Sequence, residues 1–334
     1  MARILRSRRV VAAGAAALVL SVLGGLRAVG ADPRPDLPSV PPERLIASAL
    51  RAIAERTPLS GTVRTHVDLG IPELPSELGP SSPLGVLVSD QTLKVWRSPS
   101  GVRVAQLLPF GERDVISNGA EVWVWDSDRF RAWHLRAPVG ASPPAVPSMG
   151  DLEGLVGGVL EAVRPDATVT ESDPTIVAGR ASYVISLTPS SPSTLVGRID
   201  LAIDGQTRVP LRLQVFARSS SAPALEIGFE SVSFSPVDPA MFSFTPPEGA
   251  TVTEVPAAHE PGPEPALPEV RTFGEGFGIA VAVRLTSVLQ QFLGLFPYAG
   301  PLGSAILVDR GDHVWVVAGA VAPEALAAVG SALP

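Results

Sequence analysis

Short stretches in which apolar and polar residues alternate, each closed by turn residues, recur along the chain and constrain its fold more than any other feature. Leu211, Leu213 and Val215, for example, are separated by polar residues, and similar stretches fill residues 89–135 and 169–234. Alternation with a period of two is typical of a strand that buries one face and exposes the other. The sequence therefore predicts eight or more antiparallel strands.

Dipeptides that favour tight turns connect these stretches. Asn118-Gly119 separates Asp114–Ser117 from Ala120–Trp125. Asn-Gly tolerates the positive φ that a type I′ turn needs at both central positions, so a tight hairpin is predicted there. Ala178-Gly179 and Asp204-Gly205 predict two further hairpins.

Two segments have apolar residues at helical spacing. Glu43–Arg56 follows Pro42, which is well placed in a first helical turn because it has no N–H to leave unbonded. Asp151–Val163 predicts a second, shorter helix. Together with the strands, these helices predict an α+β fold: an incomplete antiparallel β-barrel, or strongly curved sheet, whose hollow side is covered by helices.

The first 31 residues have the composition of an export signal. Four arginines in Met1–Arg9 precede the uncharged apolar run Val10–Leu26, and Val29-Gly30-Ala31 offers a small-residue cleavage site. The apolar run reaches only the short limit of a membrane span. We expect cleavage after Ala31 and an extracytoplasmic protein of the cell envelope or medium, with an N-terminal anchor as the alternative. Both general and twin-arginine export stay open.

The remaining chain divides at a proline-rich segment. Residues 255–268 contain five prolines, the composition of a stiff linker. The boundaries predict a main domain over residues 32–254 and a small α+β domain over residues 269–334. In the latter we expect a strand, a helix at Ser287–Phe296, a hairpin and a final helix at Pro323–Leu333. So short a unit is expected to pack on the main domain.

Charge and composition exclude several classes of function. The net charge is −7, and removal of residues 1–31, which carry five arginines and no acidic residue, brings it to −12. Such a surface repels phosphate backbones, so no nucleic-acid partner is expected. The chain has no cysteine, which excludes disulfides, thiol nucleophiles and thiolate metal sites.

No constellation of catalytic residues is visible. The four histidines, His66, His134, His259 and His313, fall in different predicted elements, and Asp126-Ser127-Asp128 is explained as a turn. We therefore predict no metal site, no cofactor and no enzymatic activity.

Tryptophans are concentrated in the first group of strands. Trp123 and Trp125 share one face of their strand, while Val122 and Val124 share the other. Two explanations stay open: the indoles pack under a helix, or they line an apolar cavity for a small molecule.

Four segments, in order, resemble LolA-type lipoprotein carriers. Asp238–Phe244, with Pro247 and Gly249, resembles the closing strand of that family. Three hairpins are also similar: Asp114–Trp125, Val177–Arg180 with Tyr183, and Asp204–Arg212. The resemblance covers roughly residues 43 to 254.

This resemblance implies an incomplete barrel wrapped around helices, with an apolar hollow that holds acyl chains. The same fold occurs in RseB/MucB-type regulators, in which a second domain follows and an anti-sigma factor is bound. Because the chain lacks cysteine, it departs from the lipid-anchored members.

From these features we expect an exported, non-enzymatic carrier or binding protein whose partner is a lipid or an acylated protein. The alternative is an RseB/MucB-like regulator that binds an anti-sigma factor or another membrane-protein partner. The sequence gives no expectation for the oligomeric state. The side chains predicted to line the hollow are apolar or aromatic strand residues: Trp123, Trp125, Tyr183, Ile185, Leu187, Leu211, Leu213, Leu225, Ile227 and Phe229.

Overall fold

A computed structural model describes residues 34–70, 90–136, 166–255, 269–285 and 296–334. The predicted export signal, the predicted helix Asp151–Val163 and nearly all of the predicted helix Ser287–Phe296 lie outside the described residues. So does the linker beyond Val255.

Within these ranges the chain forms two α-helices, two 3₁₀ helices and seventeen strands. The helices are α1 (Pro42–Ala54) and α2 (Pro323–Ser331), and the 3₁₀ helices are Pro239–Phe242 and Gly276–Gly278. The strands of a large sheet are β1 (Leu59–Val67), β2 (Gln91–Ser98), β3 (Gly101–Leu108), β4 (Gly111–Ser117), β5 (Glu121–Asp126), β6 (Arg131–Arg136), β7 (Ala167–Val177), β8 (Arg180–Pro189), β9 (Val196–Asp204), β10 (Pro210–Ala217), β11 (Pro223–Ser233) and β12 (Thr251–Val255). The strands of a small sheet are β13 (Val270–Phe273), β14 (Ala280–Arg284), β15 (Tyr298–Ala299), β16 (Ser304–Asp309) and β17 (Val314–Gly319).

The large sheet is built from two antiparallel meanders. Its twelve strands follow the order β12-β6-β5-β4-β3-β2-β1-β11-β10-β9-β8-β7. The two meanders, β1–β6 and β7–β11, meet where β1 pairs with β11, and β12 joins β6 in parallel. The sheet is curved and open, with β12 and β7 at its edges, so the predicted incomplete barrel is confirmed.

The hairpin predicted at Asn118-Gly119 is present, but its turn type is not the predicted one. Ser117 pairs with Val122, so the two loop residues are Gly119 and Ala120. Among these residues only Gly119 has positive φ, at +87°, which fits a type II′ turn. Asn118 instead accepts hydrogen bonds on its side chain from the N–H groups of Ala120 and Glu121, both at 3.0 Å.

Helix α1 forms close to the predicted range and is amphipathic. It begins at Pro42 and carries Glu43 in its first turn, near the positive end of the helix dipole. One side is buried: Leu45, Ile46, Ala49 and Ala52. Their spacing of three and four residues turns them all toward the large sheet.

The small sheet has its own core and packs against the large one. Trp315 and Val317 in β17 and Leu326 in α2 are fully buried there. Phe277, from the 3₁₀ helix before β14, belongs to the core of the large sheet. The N–H of Leu195, just before β9, donates to the carbonyl of Ala320, just after β17, at 2.8 Å.

Candidate functional site

The register of the large sheet assigns each strand residue to one of two faces. Directly paired residues on neighbouring strands point to the same side, and successive residues point to opposite sides. We call the side that packs on α1 the inner face and the opposite side the outer face. Val63 on β1 and Leu93 on β2 pair with each other and belong to the α1 core, which fixes the inner face for the whole sheet.

Eight of the ten side chains predicted to line a hollow lie on the α1-covered half of the inner face. They all belong to, or pack against, one core cluster formed by β1, β2, β3, β7–β11 and α1: Tyr183, Ile185, Leu187, Leu211, Leu213, Leu225, Ile227 and Phe229. Ile185, Leu187 and Leu211 are fully buried. This half is therefore a packed core, with α1 and the preceding residues Leu37 and Val40 against it.

The other half of the inner face, on β3–β6, carries a row of valines that ends in a tryptophan. Val104, Val115, Val124 and Trp133 are direct neighbours on successive strands. We call these four residues the apolar stripe. Val104 is buried in the α1 core, whereas Val115, Val124 and Trp133 are only half-buried. The apolar surface of the core thus continues outward onto partly exposed side chains.

A charged row borders the stripe on the same face. Arg113, Asp126 and Arg131 follow one another on β4, β5 and β6. Arg113 Nε lies 3.0 Å from Asp126 Oδ2, and Arg129 Nη1 lies 2.7 Å from the same oxygen. Burial acts to raise the pKa of Asp126, but the hydrogen bonds from Arg129 and Arg113 lower it overall. The inner face therefore changes from apolar to ionic within one row of residues.

Trp123 and Trp125, the other two predicted lining residues, lie on the outer face. Both face Phe244, at centroid distances of 5.5 and 5.7 Å. Phe244 follows the 3₁₀ helix Pro239–Phe242, through which the chain crosses this face before it reaches β12. The structure therefore separates the two indoles from the other eight residues by the thickness of the sheet.

Polar groups on the outer face hold β12 to the sheet beneath this crossing segment. His134 is buried and stacks on Trp123, with ring centroids 3.9 Å apart. Its Nε2 lies 2.8 Å from Glu121 and its Nδ1 lies 3.0 Å from Glu254 on β12. The hydrogen bond from His134 lowers the pKa of Glu121.

A buried ion pair lies beside them. Asp114 has no exposed surface and is bound by Arg103, which also lies over the Trp96 ring. Burial raises the pKa of Asp114, although the positive charge of Arg103 opposes the shift. Because these side chains bond to one another across neighbouring strands, their arrangement is explained by the cohesion of the outer face.

In the described ranges, no group of three or more histidine and carboxylate side chains is placed to hold a metal ion. No helix in the same ranges is long and apolar enough to cross a membrane.

The apolar stripe was not predicted from the sequence, although its signal was present. Asn118-Gly119 fixes the hairpin register, and that register pairs Val115 with Val124. The valines of β5, rather than its tryptophans, therefore continue the α1-facing row. The indole rings are much larger than the valine side chains, and the prediction therefore named Trp123 and Trp125 and not Val124.

No family model matches the sequence, and no curated protein matches it. Several solved structures are similar in structure to this chain. The complex of MucA and MucB from Pseudomonas aeruginosa is 12% identical with a TM-score of 0.48, covering 86% of this chain and 96% of that one. A LolA superfamily protein from Nitrosomonas europaea is 10% identical with a TM-score of 0.25, covering 62% of this chain and 99% of that one. The lipoprotein LppX of Mycobacterium tuberculosis is 12% identical with a TM-score of 0.31, covering 59% and 98%.

The chain is similar to LolA-type and MucB proteins. The four sequence segments resemble the LolA-type group, and the RseB/MucB group was expected to share its fold. At these identities and TM-scores the likeness concerns the course of the chain alone.

Proposed function

We propose that the protein is an exported, non-enzymatic carrier or binding protein that shelters a lipid or an acyl chain on the inner face of its large sheet. The observation that carries this proposal is the apolar stripe. Val115, Val124 and Trp133 extend the buried core as a continuous apolar surface, yet they keep part of their area accessible.

The dimensions of the two elements support this proposal. Twelve strands at about 4.8 Å spacing form a face more than twice as wide as the roughly 20 Å length of a helix of the size of α1. The buried residues of α1 pack with β1, β2, β3 and β7–β11, and none of the core residues in this cluster comes from β4, β5 or β6. Among the described residues, the stripe on these three strands is therefore a part of the inner face that α1 does not cover.

The energetics suit an apolar ligand. Transfer of each CH₂ group from water contributes about 0.8 kcal/mol, so a sixteen-carbon chain contributes on the order of 10 kcal/mol before ordering costs. Such a ligand needs no catalytic side chain and no metal ion. The adjoining row of Arg113, Asp126 and Arg131 ends the apolar surface on one side.

We further propose that residues 1–31 direct export and that residues 269–334 form a second domain. The small sheet, with its own buried core around Trp315, supports the latter assignment. Both proposals are checked by N-terminal sequencing of the secreted protein and by limited proteolysis between residues 255 and 269.

The decisive experiment is native mass spectrometry of the mature protein purified from its own envelope fraction, followed by organic extraction. A stoichiometric lipid or acyl group that copurifies supports the proposal. A clean apo mass that persists after incubation with envelope lipids contradicts it, and the partner-binding regulator then becomes the better explanation.

A matched pair of variants localises the ligand. Val124→Asp places a charge on the stripe, whereas Thr92→Asp places the same charge at a half-buried position of the outer face. We expect Val124→Asp to abolish lipid copurification and Thr92→Asp to preserve it. Equal retention in both variants would exclude the stripe as the binding surface.

A further inference from the structure

Arg208 occupies a backbone conformation that arginine rarely adopts. It lies in the turn between β9 and β10 with φ at +65°, in the left-handed region. Its N–H donates to the carbonyl of Asp204 at 3.1 Å, which closes the turn. Glycine enters this region without steric cost, whereas a side chain with a Cβ is strained there. An arginine is therefore present at this position although the backbone conformation is strained for a residue with a side chain.

The guanidinium of Arg208 rests on an aromatic ring at the edge of the core. Its Cζ lies 4.7 Å from the centroid of the Tyr183 ring. Tyr183 is only 3% exposed, belongs to the inner-face core and donates its hydroxyl to the carbonyl of Pro38 at 2.9 Å. The guanidinium therefore lies at the end of β9 and β10, next to the apolar core to which Tyr183 belongs.

One donor of this guanidinium is buried without a partner. Nη1 of Arg208 has no hydrogen-bond acceptor in the described parts of the chain. Arginine cannot lose its proton at any accessible pH, so the group stays charged and its N–H stays a donor. Buried charged donors are almost always satisfied, so this one calls for an acceptor.

The carboxylate of Asp204, at the start of this turn, already has other partners. Asp204 Oδ1 accepts from Thr207 N at 2.6 Å, from Gln206 N at 3.1 Å and from Arg180 Nη2 at 3.0 Å. Burial acts to raise the pKa of Asp204, but the hydrogen bonds from Arg180 and Thr207 lower it overall. Asp204 therefore neutralises Arg180, and the charge of Arg208 has no counterion in the turn.

We propose that Arg208 is an oxyanion-binding residue that takes a carboxylate or a phosphate, with Tyr183 as the platform that orients its guanidinium. The planar fork of N–H donors matches the oxygens of either group. If the oxyanion is the headgroup of the ligand, this inference deepens the proposed function and rests on it, because the ligand is then an anionic lipid. A free phosphate has the same oxygen chemistry and is distinguished by experiment.

The test compares three probes by calorimetry: palmitate, hexadecanol, which has the same chain without the charge, and inorganic phosphate. The wild-type mature protein is measured beside Arg208→Gly and Arg208→Gln. Arg212→Gln, which removes an arginine from the outer face of β10, is the control. Because glycine suits a φ of +65°, Arg208→Gly is expected to fold with an equal or higher thermal midpoint.

Loss of a charge-assisted hydrogen bond is expected to weaken palmitate binding about tenfold or more in both Arg208 variants, with hexadecanol unaffected and Arg212→Gln unchanged. Unaltered palmitate binding in both Arg208 variants would overturn the inference while leaving the proposed function intact. Absence of binding by both palmitate and hexadecanol to the wild type would instead overturn the proposed function. Phosphate binding that is lost in the Arg208 variants would then show a site for a free oxyanion.

Discussion

Trp123 stacks on His134 with an interplanar angle of 6°, on the face of the large sheet opposite to the α1 core. The contact joins β5 to β6, and through Glu254 the imidazole also reaches β12. Trp123, one of the residues predicted to line the hollow, thus helps to hold the edge strands of the sheet together. The proposed ligand surface is on the other side of the same strand, at Val124.

The Glu121–His134 contact predicts a dependence of stability on pH. The pKa of Glu121 is lowered in the folded state, so its contribution to stability is complete above the unfolded pKa and is lost as pH falls through the folded value. We expect Glu121→Gln to cost about 1 kcal/mol at pH 7, the usual net value of such a hydrogen bond. Thermal midpoints between pH 7 and pH 3 measure the effect.

The control for this experiment is Glu226→Gln, a carboxylate on the outer face of β11 that bonds Gln214 rather than a histidine. The Glu121 variant should lose less stability than the wild type on acidification, because the titrating contribution is already absent. Parallel curves for the wild type and Glu121→Gln would contradict the assignment.

Much of the sheet was predictable because it depends on local signals. Alternation along Leu211–Val215 and the Ala178-Gly179 turn, where both residues have positive φ, identified the second meander. The order of the strands follows from hairpins between sequence neighbours, and helix α1 follows from its apolar spacing.

The assignment of faces was not predictable in the same way. Each strand has two faces, and which one meets α1 depends on long-range pairing, here that of Val63 with Phe229 and Leu93. The segment around Phe244 covers the outer face of β5, a contact between residues more than a hundred positions apart that no local pattern contains. The unpartnered donor of Arg208 could likewise be recognised only from the folded turn.

The Arg103–Asp114 ion pair predicts strong coupling between two substitutions. Asp114 is fully buried, so Asp114→Leu alone leaves the guanidinium without its carboxylate and should cost about 3 kcal/mol. Arg103→Met alone leaves the buried carboxyl without a partner and should cost a similar amount. The double variant should be more stable than either single variant, because the leftover charge is gone. Denaturant unfolding of all four proteins measures the coupling, and additive costs would refute it.

The two halves of the inner face predict different responses to truncation. Leu213 is 3% exposed within the α1 core, so Leu213→Ala should cost about 3 kcal/mol. Val124 is half-buried on the stripe, so Val124→Ala should cost only about 1 kcal/mol. Lipid content measured on the folded fraction should fall more in the Val124 variant. A larger loss of lipid in the Leu213 variant would move the binding surface to the α1-covered half.

The close packing at Gly101 indicates that residues 239–244, which cross the outer face, are held tightly there. A Cβ at this position would lie 2.6 Å from the Phe242 ring and 2.5 Å from the carbonyl oxygen of Ser117, closer than real contacts allow. Gly101→Ala should therefore cost about 2 kcal/mol and displace Phe242, because the backbone of β4 cannot yield. Gly278→Ala is the matched control, since its nearest neighbour outside the adjoining chain is 4.0 Å away.

As Phe244 lies against Trp123, the displacement should alter tryptophan emission in Gly101→Ala and leave it unchanged in the control. Because this segment is on the face opposite to the stripe, lipid content should stay at the wild-type level, and a parallel loss of lipid would show that the two faces are coupled.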